Sequence, residues 1–158
     1  MSRYAEYLVD VLTRHGYVIH QHVDDLTLAD TLANPAGGNN MNWVLGHLAV
    51  HREHMMGWLG IDLPWAAGAY VRYDRGSERL EDAAEAVDLA QVLGDLDKSQ
   101  VLLAERLLQT DEDSLNARIE GLRRDLGGQL GFYLWHEAYH VGQLELLRHA
   151  AGRHESLI

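Results

Sequence analysis

At 158 residues the chain has the length of a single domain, 1–158, with room for a sizeable apolar core. Its formal charge of −11, from 24 acids against 13 bases, produces a field that repels phosphate and anionic lipid, so neither nucleic acid nor a membrane surface is an expected partner. With no cysteine, disulfides, thiolate ligands and a cysteine nucleophile are excluded, and any transition-metal site has to be built from histidine and carboxylate.

From Ser2 to Val23, apolar residues recur at three- and four-residue steps through Leu8, Leu12 and Ile19, which predicts a first amphipathic helix. His15, His20 and His22 fall on it and are expected in solvated or capping roles. Asp24 to Asn40 breaks the pattern, and Asn34-Pro35-Ala36-Gly37-Gly38-Asn39-Asn40 is strong turn chemistry, so a loop is expected. Asn42, or Asn40 before it, can cap a second helix over Met41–Leu59. One seam of that helix carries Val44, His47, His51, His54 and Trp58, so three histidines share a face with large apolar groups. Gly60–Ser77 is too irregular for a helix and reads as a long crossover. From Glu81 to Thr110 a short helical piece precedes a long helix that starts near Asp88, and Thr110–Asn116 is a second loop. A fourth helix, from about Arg123 to Ala151, ends at Gly152. It is apolar almost all round and is therefore buried on more than one side, which predicts a homodimer. No strand pattern, repeat or low-complexity run is present. The start of the chain has no apolar core of signal-peptide length and no run approaches a bilayer span, so a soluble, cytoplasmic protein without a membrane partner is expected.

His136-Glu137-Ala138-Tyr139-His140 lies in the fourth helix. Residues four apart stand one above the other on a helix, so His136 and His140 present two imidazoles to one point. The letters fit the H-E-x-x-H pattern of zinc proteases. The extended form of that pattern needs a glycine and a histidine where this chain has Gln143 and Leu146, so the protease reading fails. A third histidine comes from the second helix, and periodicity alone does not rank His47, His51 and His54. Three protein nitrogens leave coordination positions open, which favours chemistry over a closed structural site. Glu137 is a candidate general base, with an exposed or salt-bridged glutamate as the alternative. Tyr133 and Gln143, one turn on either side of the histidine pair, together with Trp43 and His51, are candidates to contact substrate or to orient the ligands. Tyr70 or Tyr73 of the crossover would complete the pocket, and Arg52, Arg72 or Arg148 would offset the acidic surface for an anionic thiol.

Asn42-Trp43-Val44-Leu45-Gly46-His47-Leu48 and His136-Glu137-Ala138-Tyr139-His140-Val141-Gly142-Gln143-Leu144, followed by Leu147-Arg148, resemble the two signatures of the DinB/YfiT-like metalloenzyme superfamily. The resemblance implies an all-α, up-down-down-up four-helix bundle, commonly dimeric, holding one divalent metal such as zinc, nickel, iron or manganese. Carried onto this chain, its ligands are His47, His136 and His140. His51 and His54 beside the usual ligand are a departure and leave a fourth ligand open. Relatives of this kind include thiol-dependent S-transferases and an isomerase. The expected function is therefore metal-dependent activation of a low-molecular-weight thiol, or of water, for attack on a small electrophile in stress or detoxification chemistry. A metal-binding or metal-sensing bundle without catalysis is the alternative.

Overall fold

The structure is a computed structural model that describes residues 2–34, 37–78, 80–155 and 157. It is helical throughout, with one isolated bridge, Arg118 to Asp125, among the described residues. Four long helices form the bundle: α1 (Arg3–Val23), α3 (Met41–Trp58), α4 (Leu89–Gln109) and α6 (Leu126–Ala150). Two short ones, α2 (Leu28–Leu32) and α5 (Glu112–Leu115), sit in the connections.

Each long helix begins where a short polar side chain takes up an orphan amide. The Ser2 hydroxyl accepts from Tyr4 and Ala5, the Asn40 amide oxygen from Trp43, the Asp88 carboxylate from Gln91 and the Asp125 carboxylate from Gly128. Asn40 is thus the cap of α3, and the Asn42 amide is free to donate to the Val87 carbonyl ahead of α4. Helix α3 stops at Gly60, whose φ of +64° lets the Ile61 amide turn back to the Met56 carbonyl.

Contacts between termini give the directions. Tyr4 reaches Gly127 near the start of α6, and Arg148 near its end donates to the His22 carbonyl near the end of α1, so these two helices run the same way. Arg106 of α4 donates to Leu59 after α3 and Asn42 of α3 to Val87 before α4, so α3 and α4 also run together. Against α6, α3 is reversed, with His54 beside Tyr133 and His47 beside His140. Helix α1 packs on α4 and α6, and α3 packs on the same two.

The interior is in two apolar pieces. One gathers Ile19, Val44, Leu45, Leu48, Leu96 and Leu144, and the other Leu8, Leu12, Met55, Met56, Leu103 and Leu130. Between them lies a polar layer with one member from each long helix: His15, Arg52, Ser99 and Glu137. The Arg52 guanidinium donates to both Glu137 oxygens, to the Leu96 carbonyl and to the Ser99 hydroxyl, with His15 Nδ1 3.3 Å from Glu137 Oε1.

Several expectations change. Helix α2 stands inside the predicted first loop, held by a reciprocal cap between Thr27 and Asp30. Helix α5 stands inside the second loop, and α6 starts at Leu126 because Asp125 caps it. His15 and His22 are buried, not solvated, since both share the stripe of Leu8, Leu12 and Ile19. Pro35 and Ala36 of the predicted Asn34–Asn40 turn lie outside the described residues. Among those described, no helix is long and apolar enough to cross a membrane.

Candidate metal centre

Antiparallel packing of α3 on α6 brings His47 against the pair His136 and His140. One nitrogen of each of the three lies within 4.8 Å of those of the other two. The Nε2 atoms of His136 and His140 are 3.0 Å apart, and those of His136 and His47 are 3.4 Å apart. Which nitrogen carries the proton is set from outside the cluster. His47 Nδ1 donates to the Tyr73 carbonyl at 2.8 Å, and His140 Nδ1 donates to Gln143 Oε1 at 2.7 Å. Both rings therefore turn a bare Nε2 lone pair toward His136, whose single Nε2 proton could satisfy only one of them. A cation satisfies all three at once, and an all-nitrogen donor set suits zinc and its first-row neighbours. Burial lowers the pKa of His47 and His136, the second helped by the charge of Arg75, and takes His140 down to about 4. The imidazoles are thus neutral, the form that ligates.

Gly46 makes this arrangement possible. The Tyr73 ring lies where a methyl group on residue 46 would stand, so the crossover approaches α3 closely enough for its carbonyl to reach His47.

The triad forms the floor of a cavity of about 700 Å³. Trp43 stacks on His47 with centroids 4.6 Å apart, and Phe132, Tyr133 and Tyr139 add aromatic wall. The crossover supplies a rim of Asp74, Arg75, Gly76 and Ser77. His51 lies flat on His136, with centroids 4.4 Å apart, and its buried Nδ1 has no hydrogen-bond partner among the described residues. His54 is exposed and lies 3.4 Å from the Tyr133 hydroxyl. Neither His51 nor His54 belongs to the group of three converging nitrogens.

Other sequence candidates are dispersed. Gln143 is not on the cavity wall with Tyr133; it sits behind His140 and lines a second groove on the far side. Glu137 does not face the cavity either. It is wholly buried against Arg52, one residue from His136 but around the other side of α6. Burial pushes its pKa up, yet the Arg52 charge and the His15 and Arg52 hydrogen bonds outweigh this and hold it at about 2. A carboxylate so engaged and so weakly basic is a brace: its surroundings are those of a salt-bridged glutamate, and the exposed alternative does not hold, because the residue lies between the packed helices. Tyr70 and Tyr73 are buried under the crossover, where Tyr70 donates to Asp95 and Tyr73 to Asn42. Arg52, Arg72 and Arg148 are held by Glu137, Glu85 and Asp25. The cation on the cavity rim is instead Arg75, at the tip of Asp74-Arg75-Gly76-Ser77, where turn chemistry is the sequence signal that marks it.

The sequence matches the DinB superfamily over residues 12–144, a span that holds both α3 and the histidine pair of α6. No curated protein matches the chain significantly.

Proposed function

The chain belongs to the DinB superfamily, and from that premise we propose that His47, His136 and His140 hold one divalent metal that activates a low-molecular-weight thiol, or water, for attack on a small electrophile. The observation that carries the proposal is the convergence of three Nε2 atoms, two of them deprotonated by outside acceptors, on the floor of an open cavity. Zinc, nickel, iron and manganese all fit such a site. A metal bound there supplies a Lewis acid that lowers the pKa of a thiol or water at an open position.

The chain's own residues do the rest. The Tyr73 carbonyl and Gln143 fix the orientation of two imidazoles. Trp43, Phe132 and Tyr139 give an electrophile apolar surface to displace water from. Tyr133, whose phenol burial keeps protonated, offers an O–H on the cavity wall where negative charge would develop on the electrophile. In this reading Glu137 takes no proton and serves to hold α6 in place. The protein acts as a cytoplasmic homodimer, its contact made by the apolar face of α6 that the bundle leaves uncovered.

Elemental analysis of the purified protein and of His136→Ala tests the site, with about one metal expected in the first and little in the second. Low-molecular-weight thiols are then added to cobalt-substituted protein. A sulfur-to-metal charge-transfer band, followed by conjugation to a model electrophile, is expected. Full occupancy in His136→Ala overturns the ligand assignment. Metal without a band or turnover for any thiol removes the transferase reading and leaves hydrolysis, or a bundle that only holds or senses its metal.

A further inference from the structure

The cavity above the triad has one feature that metal binding does not use. Asp74-Arg75-Gly76-Ser77 is a tight turn, closed by a hydrogen bond from the Ser77 amide to the Asp74 carbonyl, with Gly76 at a φ of +83°. It is pinned to α3 on both sides. His47 Nδ1 donates to the carbonyl of Tyr73 just before the turn, and Trp43 Nε1 donates to the Ser77 hydroxyl at its end, 2.9 Å away. The turn is therefore registered to the triad, and Arg75 is at its tip.

The Arg75 guanidinium has no carboxylate within 4.0 Å among the described residues, a state it shares with Arg3, Arg106, Arg118, Arg123 and Arg124, but of these six it is the one that lines the cavity. The nearest candidate in sequence, Asp74, turns its carboxylate back onto the Arg75 backbone amide at 2.6 Å. An arginine without a carboxylate partner on the rim of a cavity, in a chain with net charge −11, offers an anion one positive charge beside Asp74.

We propose that Arg75 is a specificity residue that binds the carboxylate of a small aromatic monocarboxylate, whose ring lies among Trp43, Phe132 and Tyr139 over the triad. The planar fork of a guanidinium matches a carboxylate bidentately, and its single charge suits a single anion. Asp74 beside it and the acidic surface penalise a second negative charge, so a phosphate dianion gains nothing over a carboxylate. The inference rests on the reading of this cavity as the substrate site, but not on which reaction follows.

The test is calorimetric titration of zinc-loaded and of metal-free protein with benzoate, benzamide and phenyl phosphate. Wild type should bind benzoate about tenfold more tightly than benzamide, in the metal-free form as well as the loaded one. Arg75→Gln should bring that ratio close to one while metal content and benzamide affinity stay as in wild type. Arg14→Gln, a charge loss on the remote face of α1, should leave the ratio unchanged. Phenyl phosphate should bind no better than benzoate. Equal affinity for benzoate and benzamide in the metal-free wild type, or a preference that survives in Arg75→Gln, overturns the proposal, as does tighter binding of phenyl phosphate. A preference confined to zinc-loaded protein also overturns it, since the carboxylate is then held by the metal. A protein that binds no metal yet keeps the Arg75-dependent preference would overturn the metal reading and leave this one standing.

Discussion

Arg52 and Glu137 meet in the middle of the bundle with 2.7 Å between Nη2 and Oε1, both fully buried, and each is the chain neighbour of a histidine on the cavity: His51 for the arginine, His136 for the glutamate. On both helices the cavity side and the braced side are therefore consecutive residues, and the brace fixes how each helix is turned about its own axis. Removing one partner strands a buried charge.

Glu137→Gln should accordingly lower stability by about 3–5 kcal/mol, the range for breaking a buried ion pair. Arg52→Met/Glu137→Met should recover part of that loss, because it leaves no lone charge. Urea unfolding of the single and double variants measures both. A Glu137→Gln protein of wild-type stability that has lost only turnover would restore the general-base reading.

His20 offers a pH test well away from the triad. Its two nitrogens face Asp24 at 2.6 Å and Asp97 at 2.8 Å, and its pKa is raised first by the Asp97 hydrogen bond; desolvation opposes this, and the Asp24 hydrogen bond adds to the rise. A raised folded-state pKa means that the protonated ring is the stabilising form. Its contribution is complete below the unfolded value of 6.5 and disappears as pH rises through the higher folded value. The stability gap between wild type and His20→Gln should therefore close as pH rises from 6.5 through the higher folded value, and be smaller in salt. A gap that is flat across this range would show that the ring does not titrate against these carboxylates.

The outer face of α6 bears on assembly. Trp135, Tyr139 and Leu146 are 63 %, 59 % and 69 % exposed in the single chain, and an apolar strip of this kind usually marks an interface. Sedimentation at micromolar concentration should give twice the 17.8 kDa of one chain. Trp135→Glu should shift it to monomer. A wild-type monomer would remove the dimer from the proposed function.

Residue spacing exposed the histidine pair, because four steps on a helix is a geometric statement in itself, and the α3 motif singled out His47 from three histidines on one seam. Contacts across the bundle were not legible in the same way. Nothing local joins Arg52 to Glu137 across 85 positions, so in the sequence the glutamate reads as available for a base. His15 and His22 did carry a signal, since they continue the Leu8, Leu12 and Ile19 stripe, but polar character argued for solvent and packing prevailed. Gln143 and Tyr133 are symmetric about the pair in sequence, yet one supports a ring from behind and the other faces the cavity. Arg75 lies in the aperiodic crossover, where hydrophobic patterning has no reach. Helix α2 covers only Leu28–Leu32, shorter than any window in which a period can be read.

Gly46 controls more than space. Because residue 46 carries only hydrogen, the Tyr73 ring rests against α3 and the Tyr73 carbonyl holds the proton on Nδ1 of the adjacent His47. With a methyl group there, the crossover would be lifted, the carbonyl withdrawn, and the imidazole left at liberty to move its proton to Nε2. The ring could keep its position and still lose the bare Nε2 lone pair that it turns toward His136. An alanine at position 46 would thus act as a tautomer mutation in the residue beside it, silent in the packing of His47 and visible in the ¹⁵N shifts of its ring.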